Sequence, residues 1–311
     1  MENSGVTTDN KAINVVTYNI LSKLYGNKST FPNNLEEHLD GEYRWLKISD
    51  QLKNWISKGS IICLQEVCDY FRELIINLCD ESDYSYEYNK YGGKRSGNMG
   101  VMMLYPDNYQ IVASFNKKLG QNSRDYRIKN AYNKALIIKF KIMSMNGSKK
   151  IYKYLTVGNY HMPCLYRYPN TQKEIFKYYL GKVRNIASYN GKLYPFILTG
   201  DFNMSDVSDK FANILINNNM TLPVSYIPPS NSYIPIVNNI TTNVFNNNKY
   251  FAGILDYIII SNDLSFVSYD VLYNLPDEND NCPINPNNNL TLLPDKNNPS
   301  DHLPVFAVID I

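Results

Sequence analysis

This chain has almost no net excess of positive or negative charge. Its 311 residues include 31 lysines and arginines against 29 aspartates and glutamates, which leaves a formal net charge of +2. Proteins that bind nucleic acid through a broad basic surface neutralise many phosphates with lysine and arginine. The balance argues against such a surface without excluding nucleic acid. It predicts that an anionic ligand is held locally, by a metal ion or a small cluster of side chains.

Cysteine is scarce, and its spacing excludes the usual uses of cysteine pairs. The five cysteines are odd in number and form no C-x-x-C pair. This pattern argues against a disulfide framework and against a structural zinc site. We therefore expect free thiols in a reducing compartment at Cys63, Cys68, Cys79, Cys164 and Cys282.

Long apolar segments are also absent. The first ten residues, MENSGVTTDN, are polar and contain no signal-peptide core. No apolar run approaches the roughly 18 residues that a membrane-spanning helix needs. We expect an intracellular, cytoplasmic monomer without a membrane segment, and a disordered N-terminal tail over residues 1–12.

The chain does contain short β-branched apolar runs that alternate with helical patterns. No fixed-period repeat or long linker divides this pattern, so residues 13–311 are predicted to form one domain of the α/β class. In the first helix, Leu46, Leu52, Trp55 and Ile56 are predicted to share the buried face. Strands are predicted at 13–18, 60–64, 99–105, 134–141, 152–159, 195–199, 254–260 and 305–309, and helices at 43–56, 69–79, 171–189 and 208–216.

Polar side chains stand at the ends of several predicted strands. A single carboxylate in such a place is more often a helix cap or a solvated loop residue than a ligand. Six such places in one chain predict a cleft, because strand ends present converging side chains from a rigid sheet. The residues are Asn19, Glu66, His161, Asp201, Asn203, Asp256, Asp301 and His302.

The residue types in this set favour a hard divalent metal ion. Asn19, Glu66, Asp201, Asn203 and Asp301 supply oxygen ligands of the kind that Mg²⁺ or Mn²⁺ prefers. Zinc would favour more histidine or cysteine, and the chain has only three histidines.

Two of the three histidines, His161 and His302, lie in the candidate site. Their position in separate polar-ended motifs favours acid–base or phosphate-binding work. The third, His38, stands in a polar segment and is predicted to lie on the surface.

Six segments in order carry a resemblance to a known family: T-Y-N-I-L, L-Q-E-V, N-Y-H-M, T-G-D-F-N-M, L-D-Y-I-I-I-S and S-D-H-L-P-V. From about Val15 to Val308 the chain resembles the exonuclease–endonuclease–phosphatase (deoxyribonuclease-I-like) superfamily. The resemblance implies a four-layered α/β/β/α sandwich of two packed mixed sheets. It also implies a metal-dependent phosphodiesterase in which water attacks the phosphate in line.

The resemblance implies a role for each oxygen ligand. Glu66 matches the main metal carboxylate, and Asn19 and Asp301 match residues of the metal shell. Asp201 and Asn203 match the pair that positions the attacking water or a second metal.

It also implies the roles of three catalytic residues. His302 matches a general base or phosphate-contacting imidazole, Asp256 matches the carboxylate that orients this imidazole, and His161 matches a second phosphate ligand. All the expected positions are filled, which argues against a non-catalytic binding module.

Local features resemble the deadenylase-like branch of the superfamily, which implies a 3′-to-5′ exoribonuclease acting on single-stranded RNA. They are T-Y-N-I-L-S-K-L-Y, Y-R-W-L-K-I, N-K-A-L-I-I, and T-N-V followed by F-A-G-I-L-D-Y. By this resemblance Phe251 would stack on a base and Asn243 would contact substrate. Phe251 could equally be a core residue, and the interval from Asn243 to Phe251 is longer than the branch pattern. A DNA-repair endonuclease or a nucleotide phosphatase on the same scaffold stays an alternative.

Overall fold

The computed structural model describes residues 12–119, 126–129, 134–146, 149–204, 214–215, 217–218, 220–221, 240–246, 249–274, 282–287 and 290–311. Residues 1–11 of the predicted tail and most of the predicted helix at 208–216 lie outside this set.

The described strands and helices follow one another along most of the chain. The strands are β1 (Ile13–Asn19), β2 (Ile61–Val67), β3 (Tyr84–Lys90), β4 (Gly100–Pro106), β5 (Gln110–Phe115), β6 (Ala135–Asn146), β7 (Lys149–His161), β8 (Ser188–Tyr189), β9 (Lys192–Leu193), β10 (Phe196–Asp201), β11 (Met220–Thr221), β12 (Thr242–Asn246), β13 (Lys249–Gly253), β14 (Asp256–Ser261), β15 (Ser265–Val271), β16 (Ile284–Asn285), β17 (Leu290–Thr291) and β18 (Val305–Asp310). The helices are α1 (Glu36–Leu39), α2 (Gly41–Ser57), α3 (Asp69–Asp80), α4 (Tyr126–Lys129) and α5 (Pro169–Ala187), with a 3₁₀ turn at Lys94–Ser96.

Two six-stranded sheets form the centre of the molecule. Sheet 1 has the strand order β15-β18-β1-β2-β4-β3, and sheet 2 has the order β11-β14-β10-β7-β6-β5. Both are mixed, because β1–β2 and β7–β10 are parallel pairs and the other described pairs are antiparallel. The predicted fold of two mixed sheets is confirmed.

Alternate residues of the central strands face two different cores. In β1, Val15 belongs to the core between the two sheets, whereas Val16 belongs to the core under α2 and α3. On the other side, α5 packs on sheet 2 around Phe176 and Tyr179. Because both faces of these strands are covered, their sequences are continuous apolar runs. The four layers are therefore helices, sheet 1, sheet 2 and helix.

All eight strands predicted from the sequence are present, and so are the helices that correspond to α2, α3 and α5. The longer strands that the sequence pattern did not indicate, β3, β5 and β15, all lie at sheet edges. An edge strand exposes one side to solvent, so its apolar pattern is diluted by polar residues. In β5, for instance, the burial alternates between exposed and half-buried along the whole strand.

The buried face of α2 differs from the predicted one. Leu46 is 63% exposed, whereas Ile48, Leu52 and Trp55 are buried together with Arg44. At 100° per residue, Leu46 lies about 240° around the helix from Leu52, which places it on the solvent side. The prediction that Leu46 shares the core face is wrong.

The predicted surface position of His38 is also wrong. His38 is 4% exposed, and its ring stacks on Tyr43 at a centroid distance of 5.9 Å. The single turn α1 packs against α2, and this packing covers the imidazole. The neighbouring Glu37 remains exposed, with its Oε1 3.6 Å from His38 Nε2.

Two further findings concern membrane-spanning helices and disulfide bonds. Among the described helices, none is long and apolar enough to cross a lipid bilayer. None of the five cysteines forms a disulfide, and Cys164 is the exposed one.

Candidate active site

Sheet 2 aligns three candidate residues in one row. In the parallel pair of β7 and β10, His161 lies opposite Asp201. In the antiparallel pair of β10 and β14, Asp201 lies opposite Asp256. The register of two strand pairs thus places an imidazole and two carboxylates side by side at one edge of the sheet.

In sheet 1, the candidate residues also lie at the ends of neighbouring strands. The parallel strands β1 and β2 end together, with Asn19 opposite Gln65 and Glu66 next along the chain. Strand β18 runs antiparallel to β1, so it begins where β1 ends. Asp301 and His302 precede β18 and therefore come to the end of β1 that carries Asn19.

The two rows meet at the carboxylate of Asp201, which is buried. Its Oδ2 lies 3.1 Å from Asn19 Nδ2, which donates a hydrogen bond from sheet 1. The same oxygen lies 3.5 Å from His161 Nε2 and 3.6 Å from His302 Nε2. The Asn203 backbone N–H donates to the other oxygen, Oδ1, at 2.8 Å. Asp201 is therefore the point at which groups from both sheets converge.

Unusual backbone conformations accompany these residues. Glu66 has φ 57° and Asn203 has φ 49°, two of the five described non-glycine residues with positive φ. The pairing of β2 with β4 shifts register between Leu64 and Val67, around Glu66. Such conformations persist only where the surroundings over-determine them, and they cluster at functional sites.

Glycine is required immediately before Asp201. Gly200 has φ 143°, and a Cβ built there would lie 1.8 Å from the carbonyl oxygen of Tyr160 on β7. The close approach of β10 and β7 therefore permits only glycine at this position.

Glu66 is held by donors from the segment after β1. Its Oε2 accepts from the Ser22 backbone N–H at 3.1 Å, and its Oε1 lies 3.4 Å from Asn19 Nδ2. The Asn19 Oδ1 accepts from the Leu21 N–H at 3.1 Å. The carboxylate of Glu66 is half-buried.

Asp301 lies close enough to other carboxylates to affect its ionisation. Its enclosure in the site, together with the charges of Glu66 and Asp201, raises the pKa of Asp301 to about 6, although His302 and Arg44 oppose the rise. Crowded carboxylates disfavour one another's charged form unless a cation joins them. The acidic oxygens therefore fit a hard divalent cation.

His302 joins two carboxylates through its two ring nitrogens. Its Nδ1 lies 2.7 Å from Asp256 Oδ2 and 3.2 Å from Thr242 Oγ1. Burial alone would lower the pKa of His302, but the carboxylate of Asp256, followed by two further aspartates, raises this pKa well above its usual value. The carboxylate of Asp256 therefore favours the protonated imidazole, and the hydrogen bond between the two side chains fixes the orientation of the ring.

Within the described part of the chain, Asp201, Asp256 and His302 form a group of three potential metal ligands, whose ligand atoms lie within 4.8 Å of one another. This group differs from the predicted metal set. His302 Nδ1 lies 2.7 Å from Asp256 Oδ2 and its Nε2 lies 3.6 Å from Asp201 Oδ2, so both ring nitrogens already face carboxylates. In the predicted metal set, Glu66 and Asp301 are half-buried, whereas Asn19 is buried.

Two partners of the histidines were missed by sequence reasoning. Tyr91 OH lies 2.6 Å from His161 Nδ1, and Thr242 contacts His302. Tyr91 follows the edge strand β3, and it is one of 27 tyrosines, so no sequence signal singles it out. Thr242 stands directly before Asn243 in the T-N-V segment, and this segment was the only sequence signal near it.

The β12–β13 hairpin lies beside His302, because Thr242 forms a bridge with His302 at the start of β12. Phe251 on this hairpin is 40% exposed, so it is not a core residue. Asn243 is 2% exposed, and its amide donates to the Thr291 carbonyl at 2.7 Å. The hairpin thus exposes Phe251 to solvent, whereas the buried amide of Asn243 joins the hairpin to β17.

A comparison with protein-family profiles decides the family. The Endonuclease/Exonuclease/phosphatase family matches residues 16–302. The chain belongs to this family. It is therefore a hydrolase of phosphate esters, and enzymes of the Endonuclease/Exonuclease/phosphatase family generally depend on divalent metal ions. No curated protein matches the chain in sequence.

Solved structures show the same fold at low sequence identity. ANGEL2, described as a 2′,3′-cyclic phosphatase in complex with adenosine-2′,3′-vanadate, has a TM-score of 0.68 at 19% identity, covering 96% of this chain and 95% of that one. The human Nocturnin catalytic domain with bound sulfate has a TM-score of 0.62 at 19% identity, covering 96% and 93%. TDP2 from Caenorhabditis elegans has a TM-score of 0.59 at 16% identity, covering 100% and 77%.

Proposed function

We propose that this Endonuclease/Exonuclease/phosphatase family member is a Mg²⁺- or Mn²⁺-dependent phosphodiesterase that shortens single-stranded RNA from its 3′ end, in the manner of a deadenylase. One observation carries the RNA assignment. An exposed aromatic side chain, Phe251, stands on a hairpin that bridges to His302, so a base could stack while its phosphate lies at the histidines. Stacking on an aromatic ring binds a base without a basic groove, which agrees with the near-neutral charge of the chain.

The metal would be held by Glu66 and Asp301, with Asn19 beside them. When bound, the ion would neutralise charge on the phosphate and its leaving oxygen.

The remaining residues would position water and substrate. Asp201, oriented by the Asn203 N–H, would align the attacking water. His302, held by Asp256, would donate to the phosphate oxygens, and His161, held by Tyr91, would bind the phosphate from the other side. Fixed donors of this kind act most strongly where charge develops in the transition state.

The test is a cleavage assay with 5′-labelled RNA that ends either in an oligoadenosine tail or in a mixed sequence. Wild type and Glu66→Ala would be compared with Mg²⁺ and with EDTA. We expect metal-dependent shortening that is faster on the adenosine tail and at least about 10²-fold slower in Glu66→Ala. Equal shortening of both RNAs would remove the adenosine preference, and no cleavage of either RNA would refute the exoribonuclease proposal.

Phe251→Ala tests the stacking surface separately. Loss of one stacked base, about 1–3 kcal/mol, should raise KM for RNA by roughly 5- to 150-fold while kcat changes little. Tyr250→Ala is the matched control, because Tyr250 is equally exposed and points to the opposite face of the hairpin, against Phe245. Equal effects of the two substitutions would contradict the stacking role.

A second candidate is hydrolysis of a 2′,3′-cyclic phosphate at an RNA 3′ end. The observation that favours it is the likeness to the ANGEL2 structure over nearly the full length of both chains. Cyclic-phosphate-ended RNA therefore belongs in the same assay, where conversion to a monophosphate without shortening would favour this activity. Abasic DNA and a small nucleotide test the DNA-repair and nucleotide phosphatase alternatives.

We also propose that the protein works as a monomer in a reducing, cytoplasmic compartment. The five free cysteines, four of them buried, support the redox part of this proposal. Light scattering after size-exclusion chromatography would test the monomer.

A further inference from the structure

A buried arginine lies behind the candidate metal residues. Arg44, in the first turn of α2, is fully buried in the described structure. Asp40 caps this helix by accepting from the backbone N–H groups of Glu42 and Tyr43. The cap fixes where the helix begins and therefore where Arg44 lies. A buried guanidinium is costly unless its donors are satisfied.

The guanidinium donates to backbone carbonyls of two separate segments. Its Nη2 donates to the carbonyls of Ile20 at 2.6 Å and Leu21 at 2.5 Å. Its Nε donates to the carbonyl of Pro299 at 2.5 Å. Ile20 and Leu21 directly follow Asn19, and Pro299 stands two residues before Asp301. One rigid group therefore ties together the two segments that carry these site residues.

The space around the Arg44 side chain fits its planar guanidinium group and little else. Its Nη1 has no hydrogen-bond partner among the described residues, and a Cβ added to Gly26 would lie 2.7 Å from this nitrogen. The structure tolerates one unsatisfied buried nitrogen in order to keep the other two donors on their carbonyls. Lysine would retain the charge but could not hold both segments in this geometry.

Neighbouring side chains hold the same loop. Tyr43 OH donates to the Lys296 carbonyl at 2.9 Å. Asn34 Nδ2 donates to the carbonyls of Leu292 at 3.2 Å and Pro294 at 2.8 Å. Together with Arg44 they fix the loop at 292–299, which leads into Asp301.

We propose that Arg44 is a positioning residue that sets the metal affinity of the site. By joining the segment after Asn19 to the segment before Asp301, its guanidinium fixes the separation of groups that must close on one ion. The inference rests on the proposed function, because it requires that Glu66, Asn19 and Asp301 hold the metal.

The test is Mg²⁺ and Mn²⁺ binding to metal-free full-length protein, measured by isothermal titration calorimetry for wild type and Arg44→Lys. Groups that orient metal ligands typically change metal affinity about 10- to 100-fold when mutated. We expect a loss of that size in Arg44→Lys, with a native circular dichroism spectrum. Arg184→Lys is the matched control, because Arg184 on α5 also donates to a carbonyl, that of Asn218, without touching the candidate site. It should bind metal as wild type does.

Each outcome bears on the inference. A folded Arg44→Lys protein with wild-type metal affinity would overturn it. If Arg44→Lys does not fold, Tyr43→Phe removes only the bond to Lys296, and we expect roughly three- to tenfold weaker metal binding; unchanged binding would overturn the inference. If wild type binds neither ion, the proposed function fails and this inference fails with it. If wild type binds metal and the variants bind it equally well, only this inference fails.

Discussion

At the scale of single residues, the pair of Asp256 and His302 sets the protonation of the site. Asp256 raises the pKa of His302, so Asp256→Asn should lower this pKa and move the alkaline limb of the kcat profile to lower pH. The value of kcat itself should fall by about 10²- to 10⁴-fold. A pH–rate profile measures both effects. Asp263→Asn, in the turn after β14, is the control, and an unshifted alkaline limb in Asp256→Asn would contradict the assignment.

Asp301 makes stability and metal binding depend on pH. Its pKa is raised from 3.8 to about 6 in the folded protein, so the folded state holds this proton more tightly than the unfolded chain does. The stability contributed by this proton is present at low pH and is lost as the pH rises from about 4 through 6. In EDTA at pH 7, Asp301→Asn should therefore unfold at a higher temperature than wild type.

With added Mg²⁺, wild type should unfold at a higher temperature than Asp301→Asn. A bound cation favours the charged carboxylate, so Mg²⁺ should stabilise wild type and leave Asp301→Asn nearly unchanged. Thermal unfolding of both proteins with EDTA and with Mg²⁺ measures this. Equal responses of the two proteins to Mg²⁺ would show that Asp301 takes no part in metal binding.

At the scale of elements, the close contact of β7 and β10 depends on Gly200. Gly200→Ala would force its Cβ into the Tyr160 carbonyl, and the strands would have to separate. We expect a loss of at least about 3 kcal/mol in the free energy of unfolding, together with loss of activity. Urea unfolding measures it.

The control for this substitution is Gly181→Ala on α5. No atom lies within 4 Å of a Cβ at Gly181, and alanine favours helix, so this variant should gain about 0.5–1 kcal/mol. Similar stability of the two variants would mean that β7 and β10 can separate without cost.

The elements also show which parts of the fold can be predicted from sequence. Central strands such as β1 and β14 are buried on both faces and appear as continuous apolar runs, so they were predicted correctly. Edge strands β3 and β5 carry mixed residues and were not. His38 was assigned to the wrong environment, because a one-dimensional pattern does not specify which side of the single turn α1 a neighbouring element covers. Leu46 was assigned wrongly because it lies about 240° around α2 from Leu52, on the solvent side of that helix.

At the scale of the whole molecule, a buried polar contact joins the two sheets. Asn159 on β7 donates to the carbonyls of Leu64 at 3.0 Å and Met102 at 2.9 Å, both on sheet 1. Its Oδ1 accepts from Gln65 Nε2 at 2.8 Å. Gln65 and Asn159 lie next to Glu66 and near His161, so this contact fixes the two halves of the site relative to each other.

Asn159→Ala should therefore destabilise the protein and impair the site. It removes the side-chain donor to two buried carbonyls and one of the three acceptors of Gln65 Nε2, at a cost of about 2–5 kcal/mol. Thr156→Val on the same strand is the control, because the buried Thr156 hydroxyl has no partner among the described residues and its loss should be neutral. Urea unfolding compares them, and a neutral Asn159→Ala would contradict the role of this contact.

Local patterns and ordered motifs were sufficient to predict the family, the central strands and the polar residue types at their ends. The three-dimensional packing was needed to show that Asp201 is the meeting point of both sheets and that Tyr91 and Thr242 accompany the histidines. It was also needed to show that Arg44 joins the segments around Asn19 and Asp301. These contacts link residues far apart in the chain. They depend on the register of the strands and on which buried polar groups still need hydrogen-bond partners once the layers have packed. No local sequence pattern specifies the register or these partners.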